Sequence, residues 1–212
     1  MLAAAQVALN RHGDVLRELG RVFADAGHEL YLVGGSVRDA LLGRPFPDWD
    51  FTTDARPKQM QKFLRPWADA MWDTGIEYGT VGVGKDGHRL EITTFRADTY
   101  DQVSRNPEVR FGESLEEDLV RRDFSVNAMA VRITPDGPGE FLDPLGGLAA
   151  LRAKVLDTPS SPEVSFGDDP LRMLRAARFV SQLGFAVAPR VLVALLEMAP
   201  QLDRITAERV AA

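Results

Sequence analysis

From Met1 to Asn10 the chain is apolar and alanine-rich. The pattern continues through Val15, Leu16, Leu19 and Val22 at helical spacing, which predicts one amphipathic helix. Leu30 to Val33 is a short apolar run closed by Gly34 and Gly35, and predicts a buried strand. A helix over Val37 to Leu42 follows, with Ser36 as its cap and Gly43 as its stop. Next, Asp48-Trp49-Asp50-Phe51 alternates acid and aromatic. In a strand that period puts both carboxylates on one face and both rings on the other. Pro57 to Leu64 predicts a short helix, and Ala70 to Thr74 a strand. Tyr78–Gly84 and His88–Phe95 flank Lys85-Asp86-Gly87, a hairpin with Asp-Gly as its turn.

Ala97 to Glu113 is polar and without periodicity, a loop long enough to be either disordered or functional. A short acidic helix is expected over Leu115–Leu119, a strand over Val131–Ile133, a turn at 135–139, a short helix after Gly147 and a small strand at Val155-Leu156. Thr158-Pro159-Ser160-Ser161-Pro162 reads as a linker. From Asp169 only helices are expected, over Pro170–Leu183 and Pro189–Met198, with a further start at Thr206. The expected organisation is an N-terminal helix over 1–28, an α/β (α+β) unit with a small mixed sheet over 29–157, and a linker with the start of an all-helical segment over 158–212. An isolated helical turn is not stable in water, so a start at Thr206 this close to the end predicts an N-terminal piece of a longer chain.

Composition narrows the classes. The chain has 212 residues, 45% hydrophobic and 26% charged, ordinary for a folded protein. No apolar run is long enough to span a bilayer, and the N-terminal stretch lacks the basic region of a signal peptide. With no cysteine there are no disulfides and no thiolate metal site, which is compatible with the cytoplasm. A net charge of −6 argues against nucleic-acid binding by bulk charge and leaves room for a local basic surface.

The chemistry concentrates between positions 34 and 50. A glycine turn feeding a helix N-terminus is a phosphate cradle, because free N–H groups and the helix dipole favour an anion there. Arg38 adds a positive charge beside it. Asp48 and Asp50 supply the opposite charge; neighbouring acids repel unless a cation lies between them, and a hard ion such as Mg²⁺ suits oxygen ligands. Cradle plus metal site is the equipment of phosphoryl or nucleotidyl transfer. Glu91, on a neighbouring strand, is a candidate third acid, against a reading as a solvent-facing strand residue. Asp169, Arg172, Arg175 and Arg178 lie at helical spacing on a segment whose apolar residues cover most of its circumference, so the arginines cannot all face open solvent.

Gly34-Gly35-Ser36-Val37-Arg38-Asp39 with Asp48-Trp49-Asp50 resembles the signature of the DNA polymerase beta-like nucleotidyltransferases. More narrowly the chain resembles the class II tRNA nucleotidyltransferases (CCA-adding enzymes) and related bacterial poly(A) polymerases. That resemblance implies a nucleotidyltransferase head followed by the start of a helical neck, and a cytoplasmic enzyme. It implies Mg²⁺-dependent transfer of CMP or AMP from CTP or ATP to a tRNA 3′ end. Asp48 and Asp50 would hold the metal with Glu91 as further acid, and Gly34, Gly35, Ser36 and Arg38 the triphosphate. The segment Arg121-Arg122-Asp123 with Asn127 resembles the family's sugar-recognition motif. Asp169 and Arg172 resemble its base-reading pair, with Arg175 and Arg178 supporting the row or binding phosphate. A carboxylate accepting from an amino group and a guanidinium donating to a ring nitrogen fit cytosine and adenine and oppose uracil and guanine. The family has Glu before this Asp; here the residue is the shorter Asp168. The alternatives are a poly(A) polymerase, a module that binds nucleotide without turnover, and a dinucleotide-binding oxidoreductase. The last fits poorly without a Gly-x-Gly-x-x-Gly run.

Overall fold

The computed structural model describes residues 1–97, 110–206 and 209. Most of the polar stretch after Ala97, and two residues of the expected helix start after Thr206, lie outside them. The elements in chain order are α1 (Leu2–Asn10), α2 (Gly13–Asp25), β1 (Leu30–Val33), α3 (Gly35–Leu42), β2 (Asp48–Thr53), α4 (Pro57–Leu64), β3 (Ala70–Trp72), β4 (Thr80–Lys85), β5 (His88–Thr94), β6 (Arg96–Ala97), β7 (Arg110–Phe111), α5 (Leu115–Val120), β8 (Ala130–Thr134) and β9 (Gly137–Leu142). There follow α6 (Gly147–Ala153), β10 (Val155–Leu156), α7 (Pro162–Asp168), α8 (Leu171–Leu183), β11 (Ala186–Val187) and α9 (Pro189–Met198). Among the described residues no helix is long and apolar enough to cross a membrane.

The chain divides into two compact units. The first is Met1–Leu119 with Met129–Leu142, and the second is Val120–Ala128 with Asp143–Ala212. The first is built on a mixed sheet of order β3-β4-β5-β2-β1-β8-β9, in which β2 and β5 run parallel and the other pairs antiparallel. Its core is aromatic and aliphatic: Phe23, Trp49, Phe51, Phe95, Leu16, Leu19, Leu30 and Leu32 are fully buried. The hairpin expected at Asp86-Gly87 joins β4 to β5, and both turn residues take positive φ as its tight turn requires.

The N-terminal pattern forms two helices rather than one. Helix α1 ends at Asn10 and α2 starts at Gly13. His12 leaves the helical region at φ −106°, ψ 19°, and sets its ring edge-on to Trp49 with centroids 4.9 Å apart and to His88 at 5.1 Å. The contact with Trp49 is gained at the cost of helical continuity. Burial, with His88 and Arg11 nearby, holds the His12 imidazole below its ordinary pKa, so it favours the neutral form.

The second unit has its own core of Phe166, Met173, Ala188, Val191 and Ala194. Two elements there were not expected. The linker-like Ser161-Pro162 starts α7: Ser161 Oγ accepts from the Val164 N–H at 3.3 Å and Pro162 occupies the first turn. The region after Asp169 is also not purely helical, because β11 pairs in parallel with β10. Two residues are too few to show a period. The strand expected over Ala70–Thr74 ends at Trp72.

Candidate active site

The first unit brings the glycine turn and the acid strand together through one hydroxyl. Gly34 takes φ 69°, ψ −139°, a region closed to residues with a Cβ, and turns the chain from β1 into α3. The first bond of the helix runs from the Arg38 N–H to the Gly34 carbonyl, so the N–H groups of Gly35, Ser36 and Val37 have no intrahelical partner. That arrangement suits an anion. Ser36 is not the cap that the sequence suggested. It lies inside α3, almost completely buried, and its Oγ donates to the Asp48 carbonyl at 3.0 Å and accepts from the Asp50 N–H at 3.2 Å. Strand β1 pairs with β2 only at Phe51–Thr53, so Ser36 stands where a strand partner for Asp48 and Asp50 would be. The cradle and the acid strand are thereby fixed to each other.

The alternation in β2 is as expected: Trp49 and Phe51 are buried, Asp48 is exposed and Asp50 half-buried. Glu91 lies directly across from Asp50 in the β2–β5 register, on the same face. Its carboxylate accepts from Arg89 at 3.2 Å. Among the described residues no group of three or more acids and histidines is close enough to hold a metal. Two carboxylates on one face nevertheless suit Mg²⁺, which takes one or two such ligands and fills its remaining positions with water and phosphate oxygens. Arg38 is held by its neighbour: Nε and one terminal nitrogen donate to the two Asp39 carboxylate oxygens at 2.9 and 2.8 Å. Its guanidinium lies over Gly35, where a Cβ would come within 3.4 Å.

The second unit gathers the later motifs. Arg122 is half-buried after α5. Asp123 Oδ1 accepts from the Phe124 N–H at 2.8 Å and from the Asn127 amide at 2.9 Å. Asp123 Oδ2 accepts from Arg175, at 2.8 Å from Nε and 2.7 Å from a terminal nitrogen. Each carboxylate oxygen thus takes two donors, so this acid anchors Arg175 and the turn at Ser125–Asn127. Replacing Asp123 with Asn should destabilise the second unit by about 1–2 kcal/mol. A denaturation double-mutant cycle with Arg175→Gln should give a coupling of about 1 kcal/mol, and simple additivity would contradict the assignment.

Arg172 is drawn inward from α8. One terminal nitrogen donates to Ser165 Oγ at 2.9 Å and to its carbonyl at 3.3 Å, and the other donates to the Arg121 carbonyl at 2.6 Å. Burial pulls its guanidinium below the ordinary arginine range; the charge of Asp123 opposes this, Arg121 adds to it, and Asp169 and Asp168 oppose it. The contacts take at most three of its five N–H groups. Asp169, between α7 and α8, accepts from the Leu171 N–H at 3.2 Å and pairs with Arg209 at 3.1 Å. Arg178 is exposed. The arginine row therefore splits into one inward, one anchored and one solvent-facing residue. Ser165 and Arg209 were not flagged in the sequence, and Arg121 was named only within the sugar-recognition motif, since their link to Asp169 and Arg172 is made by the tertiary fold.

Residues 30–157 match the family described as Poly A polymerase head domain. The chain is 44% identical over 184 residues to a CCA-adding enzyme of Geobacillus stearothermophilus, covering 86% of this chain and 44% of the relative. It is 45% identical over 188 residues to one of Lacticaseibacillus paracasei, covering 88% and 45%. Among solved structures it resembles the Bacillus stearothermophilus CCA-adding enzyme in complex with CTP, with a TM-score of 0.79 at 40% identity, covering 91% of this chain and 45% of that one. It also resembles the Thermotoga maritima CCA-adding enzyme complexed with tRNA, with a TM-score of 0.73 at 28% identity, covering 91% and 43%. The chain spans less than half the length of these relatives. The polymerase-beta-like nucleotidyltransferase fold expected from the sequence is the fold found, and the chain belongs to the poly A polymerase head-domain family.

Proposed function

We propose that this protein adds CMP and AMP from CTP and ATP to the 3′ end of tRNA without a nucleic-acid template, releasing pyrophosphate, in the cytoplasm. The observation that carries this reading is the Ser36 hydroxyl, bonded to both Asp48 and Asp50 of the acid strand and thereby fixing it to the glycine turn. Relatives solved with CTP and with tRNA support the choice of substrates.

The residues divide the work. The N–H groups after Gly34, with Arg38, bind and orient the triphosphate. Asp48 and Asp50 would hold Mg²⁺, which when bound would supply charge neutralisation on the phosphate oxygens and lower the pKa of the attacking hydroxyl. Glu91 accepts that hydroxyl's proton once its carboxylate leaves Arg89, a role supported by its register opposite Asp50. Asp169 accepts from the exocyclic amino group of cytosine or adenine, and the donors of Arg172 not engaged with Ser165 and Arg121 serve the ring nitrogen. Arg122, Asn127 and Arg178 contribute contacts to sugar and phosphate, with Arg175 held ready by Asp123.

A tRNA lacking its terminal CCA, incubated with each labelled triphosphate and Mg²⁺, tests the reading. Two C residues should be added from CTP and one A from ATP afterwards, with none from UTP or GTP and none in EDTA. The matched family's description favours poly(A) synthesis as second reading; long A tracts formed from ATP alone would select it.

A further inference from the structure

Strand register carries the acid face of the sheet well past the two aspartates. Asp50 pairs with Glu91, Glu91 with Gly82, and Gly82 with Trp72. One step along, Asp48 pairs with Arg89, Arg89 with Gly84, and Gly84 with Ala70. Paired residues in a sheet share a face, so Asp48, Asp50, Glu91, Arg89, Gly82 and Trp72 all project to one side. The glycines make a floor on which the Trp72 indole lies. A Cβ at Gly82 would come within 1.8 Å of Trp72 Nε1, and one at Gly84 within 3.7 Å of the same ring system.

Above this floor the Arg89 guanidinium sits 5.1 Å from the Trp72 ring centroid and 3.2 Å from the Glu91 carboxylate. Its side chain is 61% exposed although it touches both. Trp72 is only half-buried. Beside them a shallow cavity of about 520 Å³ is lined by Trp72, Gly84, Lys85, His88 and Arg89, together with Asp69. Asp69 holds Lys85 at 3.4 Å and the Asp86 N–H at 2.8 Å, which fixes the hairpin end of the cavity.

A core tryptophan does not need a glycine floor and an exposed guanidinium above it. A planar ring and an arginine plane beside a phosphate-chemistry site form the surface on which single-stranded nucleic acid stacks its bases. The side on which it lies agrees with the reaction. In phosphoryl-type transfer the attacking and leaving oxygens stand in line. The glycine cradle for the leaving pyrophosphate follows β1, on one flank of β2, while Glu91, Arg89 and Trp72 lie on the other flank. With strands about 4.8 Å apart, the indole over β4 lies roughly two strand spacings from Asp50.

Resting on the nucleotidyltransferase reading above, we propose that Trp72 and Arg89 form the seat of the single-stranded 3′ end of the RNA acceptor, its last base stacking on the exposed guanidinium plane that the indole supports. Arg89 lies between that base and Glu91 and positions both.

Two variants separate stacking from bulk: Trp72→Leu keeps an apolar side chain on the glycine floor, and Trp72→Phe keeps a ring. Trp72→Leu should raise the KM for tRNA lacking CCA about tenfold while leaving the KM for CTP within twofold, and Trp72→Phe should restore most of the loss. A short single-stranded ribo-oligonucleotide should quench the tryptophan fluorescence of the wild-type protein, and this quench should vanish in Trp72→Leu. An unchanged acceptor KM in a folded Trp72→Leu protein, or a quench that persists in it, would overturn the proposal and leave Trp72 as a brace for the edge strand. The function itself is read separately: absence of CTP binding and turnover in the wild type would remove the nucleotidyltransferase reading, whereas the oligonucleotide quench reports on the shelf without any turnover.

Discussion

Asp50→Asn is expected to abolish nucleotidyl transfer, by about a thousandfold or more, in a protein that remains folded. The substitution preserves shape and leaves the Asp50 N–H bonded to Ser36 Oγ, so the strand keeps its tie to the glycine turn. What it removes is the charge that a hard cation requires from its oxygen ligands. Charge stabilisation by a metal on a phosphoryl oxygen is worth several kcal/mol, and each 1.36 kcal/mol is a factor of ten in rate. Asp48→Asn should behave alike, and the double variant should lose little more, because the two carboxylates act as one unit. Incorporation of labelled CMP at saturating Mg²⁺, beside a thermal melt, is the measurement; a rate within tenfold of wild type would sink the metal assignment.

The residues behind that expectation were legible in the sequence because their order is local. Acid and aromatic alternate at period two in Asp48-Trp49-Asp50-Phe51, and the structure buries the two rings and leaves the acids toward solvent. The Asp86-Gly87 hairpin was legible for the same reason. Ser36 shows the limit. Its place beside a helix start suggested a cap, but its partners belong to a strand 12 and 14 residues away. Asp123 and Arg175 are 52 residues apart and meet only in the folded second unit, so their ion pair could not be read from the sequence. The break between α1 and α2 was hidden as well. Helical periodicity runs through it, and the cause is a contact of His12 with Trp49 and His88, far along the chain. Trp72 carried no motif at all. Its placement follows from a chain of register pairs across four strands, which exist only once the sheet has formed.

Gly20→Ala is expected to be the most damaging single methyl in the first unit, though an alanine is the better helix former by about 1 kcal/mol. Gly20 lies in the middle of α2, on the face that buries Leu16, Leu19 and Phe23. A Cβ there would stand 2.1 Å from the Thr134 carbonyl oxygen, 2.4 Å from its carbon and 3.1 Å from Pro135 N. These are backbone atoms at the β8–β9 turn, so no rotamer change relieves the overlap. Either the helix or the end of the hairpin must shift, and the shift loosens side chains that are almost completely buried. Overpacking of this kind costs about 1–3 kcal/mol and occasionally more. With the lost contacts added, the net destabilisation should reach about 3 kcal/mol, a fall in melting temperature of about 10 °C for a chain of this size. Gly13→Ala is the control in the same helix. Its Cβ would meet only the far end of the Arg17 side chain at 3.0 Å, which can swing away, so its melt should lie close to wild type. Equal melting temperatures for the two variants would mean that α2 does not rest its backbone on the β8–β9 turn. A difference of the size given would assign Gly20 the task of letting helix and hairpin approach to backbone contact.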